Sequence, residues 1–281
     1  MNRRWFEEID RGIFGIKFRV DNLVYEGESK YQKILIFDNE HFGRVFVLDD
    51  CVMCTQRDEF FYHEMLVHVP LISHPNPKKV LIIGGGDGGS LREAVKHPEV
   101  EEVVMCEIDE QVIELAREHL KYTSCEFDNP KARIISEDGF KFVKEHPQEF
   151  DVILVDGTDP IGPGMVLFTP EFFELGRSAL KPNGIFAQQT GSALYYPEHF
   201  KEAYQNIRQV FKASTPYVGP TPTYPSGYWT YCFCQNGASK LDILSPSLER
   251  IEKLGELKYY TPEIHKGAFN LPGFIKNTLK S

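Results

Sequence analysis

The residues most able to do chemistry form a glycine-rich loop that contains one acid. The loop runs Gly84-Gly-Gly-Asp-Gly-Gly89, and Gly84, Gly86 and Gly89 fit the G-x-G-x-x-G spacing. Such loops bring the backbone close to a ligand at a helix N-terminus. A dinucleotide site would hold an anionic pyrophosphate there, which the carboxylate of Asp87 would repel. The loop therefore predicts a ligand that carries a positive charge near Asp87.

More acids follow the apolar strands next to this loop. Glu107 follows Gly84 at about the spacing of an acid that accepts hydrogen bonds from ribose hydroxyls. Its neighbour Asp109 is better explained as the N-cap of the next helix. Asp138 could accept from an adenine amino group or cap a helix, and spacing alone leaves both open. Together these acids indicate an adenosine-type ligand without a pyrophosphate, such as an S-adenosyl compound with its sulfonium and amine.

A second pair of acids lies in the segment Asp156-Gly-Thr-Asp-Pro-Ile-Gly-Pro-Gly164. Loops that leave a buried strand often carry function. A capped turn explains Asp159 well, because Asp-Pro and Gly-Pro favour turns. It explains Asp156 poorly, because a carboxylate at the end of an apolar strand loses solvation unless a cation meets it. Asp156 is therefore predicted to face a cationic group.

The elements that must position these acids change character along the chain. Residues 17–25, 31–38 and 44–48 have β-rich runs separated by turn residues, which predicts short antiparallel strands. Residues 58–69 have a helical pattern that ends before Pro70. Apolar strands at 80–83, 103–106, 132–135, 152–155 and 184–187 then alternate with helical patterns at 90–97, 110–120, 139–145 and 170–180. This alternation predicts an α/β fold with a parallel sheet covered on both faces. Beyond residue 216 we expect a strand at 228–234 and a helix at 247–254.

Composition excludes several classes of function. The net charge is −10, with no long run of Lys or Arg, which argues against partners such as nucleic acid or anionic membranes, although acidity could serve solubility alone. No apolar stretch is long enough to span a membrane, and the first eight residues lack a signal core, so a cytoplasmic location is expected. Cys51 and Cys54 form a lone C-x-x-C, for which structural or reduced thiols are favoured over metal or redox chemistry.

The motifs taken together resemble those of the polyamine aminopropyltransferases, the spermidine synthase family. The resemblance is carried by the glycine loop, Asp156-Gly-Thr-Asp-Pro160, Tyr224-Pro-Ser-Gly227, Ser29-Lys-Tyr-Gln32 and Tyr62-His-Glu64, and it covers nearly the whole chain. It implies a Rossmann-like, methyltransferase-type doubly wound sheet at 58–281, with a helical connection at 58–77. A small antiparallel β domain at 1–57 precedes it. It also implies a homodimer or homotetramer.

The resemblance further implies transfer of an aminopropyl group from decarboxylated S-adenosylmethionine to a diamine, most simply putrescine. The products are then spermidine and 5′-methylthioadenosine, with no cofactor and no metal. In the donor site, Glu107 would hold the ribose, Asp138 the adenine amino group and Asp87 the amine of the tail. The implied donor site also contains Gln32, His63, Gly84 and Gly86.

For the acceptor, the resemblance implies that Asp156 acts as the base and, with Tyr62, faces the attacking amine. Asp159 and Tyr224 would lie along the acceptor channel. Three alternatives stay open: an enzyme for cadaverine, agmatine or a triamine, an S-adenosylmethionine-dependent methyltransferase, and a non-catalytic polyamine sensor. The residues alone do not define the length of the acceptor.

Overall fold

The N-terminal part of the chain is built from antiparallel strands. The computed structural model describes residues 4–158, 162–237 and 242–280, with only the backbone at 162 and 163. Strands β1 (Arg4–Asp10) and β2 (Phe14–Val20) form a two-stranded sheet. A four-stranded sheet follows, with β3 (Asn22–Glu28), β4 (Lys33–Asn39), β5 (Gly43–Leu48) and β6 (Cys51–Thr55) in chain order. The predicted antiparallel strands are thus present, but the run predicted at 17–25 breaks at Asp21 because its halves belong to different sheets.

Helix α1 (Glu59–Ser73) connects these sheets to the rest of the chain. The prediction that it ends before Pro70 is wrong, since the helix continues one turn beyond this proline. A proline in a helix removes one backbone hydrogen bond. Arg250 holds the turn that follows the proline, because its guanidinium donates to the carbonyls of Leu71, Ile72 and His74 at 2.7 to 3.2 Å, where the helix ends.

The larger part of the chain contains a seven-stranded mixed sheet. Its strands are β7 (Lys79–Gly84), β8 (Glu102–Glu107), β9 (Ala132–Ser136), β10 (Phe150–Asp156), β11 (Leu180–Gly191), β12 (Ala213–Pro220) and β13 (Tyr228–Gln235). Their order is β12-β13-β11-β10-β7-β8-β9. Strands β7 to β11 are parallel, whereas β13 and β12 are antiparallel additions. The sequence does not predict β12, whose prolines are tolerated because it is an edge strand.

Helices cover both faces of this sheet. The helices are α2 (Gly89–Val95), α3 (Glu110–His119), α4 (Gly139–Glu145), α5 (Pro170–Ala179), α6 (Pro197–Val210), α7 (Leu248–Glu252), α8 (Pro262–Ala268) and α9 (Gly273–Thr278). One core includes Leu66 of α1 and Leu91 of α2, and the opposite core includes Phe142 of α4 and Phe172 of α5. The predicted doubly wound α/β fold is confirmed. Within the described ranges, no helix is long and apolar enough to cross a membrane.

Strand β7 lies at the point where the order of the sheet reverses. It pairs with β8 on one side and with β10 on the other. In open α/β sheets, ligands bind in the crevice at such a point, beyond the carboxyl ends of the strands. The glycine loop follows β7, and Asp156 ends β10, so both lie at this crevice.

Candidate active site

The glycine loop turns sharply over the end of β10. Gly84 pairs with Asp156 in the sheet and has a φ of +79°, a left-handed conformation that favours glycine. The amide of Gly85 donates to the carbonyl oxygen of Asp156 at 2.9 Å. A Cβ atom at Gly84 would overlap that carbonyl. The close approach of the two strand ends therefore depends on glycine at this position.

Asp87 is the acid of this loop, and its carboxylate is held from two sides. The amide of Gly89 donates to its Oδ1 at 2.9 Å, and Nε2 of His63 lies 3.5 Å from the same oxygen. Burial, aided by the charge of Asp156, raises the pKa of Asp87 to about 6. At neutral pH the group is therefore still largely ionised.

His63 lies between two carboxylates. Its Nδ1 is 2.6 Å from Oε2 of Glu59, one helical turn earlier on α1, while its Nε2 faces Asp87. Burial alone lowers the pKa of His63, but Asp87 and Glu59 outweigh it and raise the pKa to about 9. A Cβ atom at Gly89 would overlap the imidazole ring, so the glycine makes room for His63.

Glu59 and Arg92 form a buried support for His63 that the sequence reasoning missed. Arg92 of α2 donates to both carboxylate oxygens of Glu59 at 2.9 Å and also to Glu93 at 2.8 Å. Burial by itself raises the pKa of Glu59, but His63 and Arg92 reverse that effect and lower it. The four-residue spacing of Glu59 and His63 was the available signal, because such residues lie on one face of a helix.

Asp156 accepts hydrogen bonds from two hydroxyl groups. Oγ of Ser90 donates to its Oδ2 at 2.7 Å, and the phenol of Tyr62 also hydrogen-bonds to it. Burial, and then the charge of Asp156, raises the pKa of Tyr62 well above its usual value, so the phenol keeps its proton. Ser90 was not predicted from the sequence, although it directly follows the glycine loop.

The side chains of His63, Asp87 and Asp156 form a cluster. One ligand atom from each lies within 4.8 Å of the others. Because two of the three side chains are carboxylates at a partly buried position, the cluster suits a cationic group. The structure thus brings together four of the predicted residues, these three and Tyr62.

Glu107 lies beside the same loop, at the end of β8. Its two carboxylate oxygens accept from the amides of Asp109 at 3.0 Å and Gly86 at 3.2 Å. Burial raises its pKa to about 7. A Cβ atom at Gly86 would come within 2.8 Å of the Glu107 side chain, which explains why glycine fits there.

Gln32 and Asp138, the two remaining side chains of the predicted donor site, both have hydrogen-bond partners within the protein. Asp109 caps α3 by accepting from the amide of Gln111 at 3.2 Å, as expected. The side chain of Gln32 donates to Asp109 at 2.9 Å, and Asp109 lies two residues after Glu107. Asp138 is exposed and caps α4 by accepting from the amide of Phe140 at 2.9 Å. The capping alternative for Asp138 therefore holds, while its adenine contact stays a prediction.

Tyr224 lies next to Tyr62. Its ring centroid lies 6.0 Å from that of Tyr62, and its hydroxyl donates to the carbonyl of Met53 at 2.7 Å. Asp58, at the start of α1, accepts from the amide of the preceding Thr223 at 2.9 Å. Asp159, the other predicted acceptor residue, lies outside the described residues.

The cysteines give no sign of a metal or redox centre. Cys54 is buried, and its sulfur lies 3.5 Å from the hydroxyl of Tyr122. Cys232 and Cys234 are buried neighbours on β13 with 3.7 Å between their sulfurs, and Cys106 and Cys125 are free thiols. The expectation of a site that needs no metal stays a prediction.

Known proteins resemble this chain over nearly its whole length. Residues 59–243 match the family model for the spermine/spermidine synthase domain, and residues 4–56 match that for the spermidine synthase tetramerisation domain. The polyamine aminopropyltransferase of Thermotoga maritima is 47% identical over 277 residues, which are 98% of this chain and 93% of that protein. The polyamine aminopropyltransferase of Caldicellulosiruptor bescii is 42% identical over 276 residues, 98% of both chains.

Solved structures agree with the sequence matches. A crystal structure of spermidine synthase in complex with the transition-state analogue AdoDATO has a TM-score of 0.96 and is 45% identical. The alignment covers 100% of this chain and 96% of that one.

Proposed function

The chain belongs to the spermine/spermidine synthase family and is a polyamine aminopropyltransferase, and from this we propose its substrates. The donor is decarboxylated S-adenosylmethionine and the acceptor is a diamine, with putrescine preferred. The products are spermidine and 5′-methylthioadenosine. The related enzyme crystallised with AdoDATO supports a donor of the S-adenosyl type.

The observation that carries this proposal is the cluster of His63, Asp87 and Asp156 beside the glycine loop, in which one ligand atom of each side chain lies within 4.8 Å of the others. Decarboxylated S-adenosylmethionine has a sulfonium and an ammonium, and each diamine has two ammonium groups. Asp87 is proposed to bind the ammonium of the donor tail. Glu107, near the loop amides, is proposed to accept from the ribose hydroxyls, with Asp138 at the adenine amino group. These roles place positive charge where the structure concentrates carboxylates.

The proposed chemistry is a direct displacement at the aminopropyl methylene carbon that is bonded to the sulfonium sulfur. The acceptor nitrogen forms a bond to this carbon, the carbon–sulfur bond breaks, and its electron pair neutralises the sulfur of 5′-methylthioadenosine. A primary amine has a pKa near 10 and arrives protonated, so it must first lose a proton. Asp156 is the proposed base, and its hydrogen bonds from Tyr62 and Ser90 fix the carboxylate for that task. Orientation of the two reactants supplies a large part of the remaining rate enhancement.

The acceptor channel is proposed to run from Asp156 past Tyr62 to Tyr224. The two tyrosine rings are close enough to line one passage, and Asp58 fixes the segment that carries Tyr224. Asp159 is proposed to bind the distal ammonium. Cadaverine, agmatine and triamines are the alternative acceptors.

We also propose that the protein assembles through its N-terminal strands, as a homotetramer or homodimer. The match of residues 4–56 to a tetramerisation domain supports this. So do Trp5, Ile9 and Ile13, which are 46%, 56% and 79% exposed on the β1–β2 hairpin. Analytical ultracentrifugation should find an oligomer, and a monomer at micromolar concentration would contradict the assembly. The cytoplasmic location stays a prediction.

The function is tested by incubating the protein with decarboxylated S-adenosylmethionine and a panel of amines. Release of 5′-methylthioadenosine is followed by chromatography, and the amine products are identified by mass spectrometry. We expect the highest kcat/KM with putrescine. A preference for cadaverine, agmatine or a triamine would reassign the acceptor, and no release with any amine would contradict aminopropyl transfer. A parallel reaction with S-adenosylmethionine should methylate none of the amines.

A further inference from the structure

His63 has a carboxylate at both of its ring nitrogens. Nδ1 lies 2.6 Å from Glu59, and Nε2 lies 3.5 Å from Asp87. A neutral imidazole has one donor nitrogen and one acceptor nitrogen, and the acceptor would face a carboxylate oxygen unfavourably. Only the imidazolium, with two donor nitrogens, satisfies both partners. The ring therefore places a positive charge beside Asp87 in the unliganded protein.

The surroundings of the ring keep this charge on His63. The ring itself interacts with Glu59 and Tyr62 of α1, Asp87 of the glycine loop and Asp156 of β10. Around these groups, Arg92 of α2 donates to Glu59, and Cys54 of β6 and Tyr122 interact with Asp87 and Glu59. Arg92 keeps Glu59 ionised through two hydrogen bonds at 2.9 Å. Burial raises the pKa values of Cys54 and Tyr62, so both are neutral. Three carboxylates thus face one imidazolium.

We propose that the His63 imidazolium occupies the amine subsite, the position beside Asp87, with a positive charge before the donor binds. It releases a proton when the ammonium of the donor binds beside Asp87. This inference rests on the proposed function, because it requires the donor tail to bind at Asp87. His63 is then a positioning residue: it balances the carboxylates of the amine subsite while the subsite is empty, and it becomes neutral when the donor ammonium takes over that role.

The proton release follows from the distances in the cluster. An ammonium that binds Asp87 would lie roughly 4 Å from Nε2, and at an effective dielectric constant near 20 two unit charges at that distance shift a pKa by about three units. The pKa of His63 would therefore fall from about 9 to roughly 6 in the complex. At a pH between these two pKa values, each donor molecule that binds displaces close to one proton from His63. A ligand without the amine leaves the imidazolium in place.

The test is calorimetric titration of the full-length protein at pH 8 in two buffers of different ionisation enthalpy. Decarboxylated S-adenosylmethionine is compared with 5′-methylthioadenosine, which has the same nucleoside but neither the aminopropyl tail nor the sulfonium charge. Any proton that Glu107 exchanges is common to both ligands and cancels. We expect the decarboxylated donor to release about 0.9 proton more per site, as a shift from about 9 to roughly 6 implies. Equal proton counts for the two ligands would overturn the inference.

Two variants and one spectrum make the result specific. In His63→Gln the difference in proton count should fall to zero, whereas His199→Gln, at an exposed position on α6, should keep it. A difference that survives in His63→Gln would assign the proton elsewhere. If His63→Gln does not bind 5′-methylthioadenosine, the wild-type protein decides. Its His63 resonance in ¹H–¹⁵N spectra should titrate near pH 9 when free and below pH 7 with the donor. An unchanged titration would reject the proposal.

Failure of the inference and failure of the function are distinguishable. A protein that transfers the aminopropyl group with equal proton counts refutes only the role of His63. A protein that does not bind the decarboxylated donor refutes both.

Discussion

Replacing Asp156 with asparagine removes the proposed base while keeping its shape. The amide oxygen of Asn can still accept from Ser90, which donates to Oδ2 of the carboxylate. The variant therefore loses negative charge and basicity but not the position of the side chain. General-base catalysis contributes about 10²–10⁴ in rate, so we expect kcat to fall by that factor in Asp156→Asn. The affinity for 5′-methylthioadenosine should change by less than about threefold, because Glu107 and the loop amides are untouched.

The loss should also depend on pH in a defined direction. With an amine pKa near 10, only about 0.3% of a diamine's amine groups are uncharged at pH 7.5. As pH rises toward 10, free amine forms in solution and a base is needed less. The variant should therefore regain up to roughly 10²-fold in rate between pH 7.5 and 10, relative to wild type.

The assay is rapid-quench single turnover with saturating donor, together with equilibrium binding of 5′-methylthioadenosine. Ser90→Ala is the matched control, because it removes one hydrogen bond to Asp156 and leaves its charge. We expect it to lower the rate by about tenfold. The reasoning would be refuted if Asp156→Asn kept its rate within tenfold of wild type, or if it lost nucleoside binding to the same extent as turnover.

Other outcomes test the donor site. Burial raises the pKa of Glu107 to about 7, so its carboxylate form is present above that pH and lost below it. The affinity for 5′-methylthioadenosine, measured by calorimetry, should therefore fall about tenfold per pH unit below 7. Glu107→Gln should remove this pH dependence. In Gly89→Ala the new methyl group would overlap the imidazole ring of His63. The affinity for the decarboxylated donor should therefore drop more than tenfold. An unchanged affinity would show that His63 does not lie against Gly89. Dialysis against EDTA should leave turnover unchanged, and recovery of lost activity by an added metal would overturn the expected absence of a metal.

Much of the fold was predictable because its signals are local. Continuous apolar strands such as Val80–Ile83 predict a buried parallel sheet regardless of what packs on them. The exceptions depend on distant residues. Helix α1 continues through Pro70, where Arg250 from the C-terminal part of the chain donates to the carbonyls that follow. No local pattern reveals such a partner.

The same distinction applies to the site. Asp87, Glu107 and Asp156 were found because acids at the ends of parallel strands share one edge of the sheet. The support from Arg92 was missed because α1 and α2 meet only in the folded chain. Asp138 is ambiguous in the sequence, because its spacing fits both a helix cap and a ligand contact. The structure shows the cap.

Aminopropyl transfer by this protein is tested most directly by the stoichiometry of a single turnover. The protein, in excess over decarboxylated S-adenosylmethionine, is mixed with putrescine, and both products are quantified over time. We expect spermidine and 5′-methylthioadenosine to appear together, at equal rates and in a one-to-one ratio. Release of 5′-methylthioadenosine without an aminopropylated amine, or formation of neither product, would contradict it.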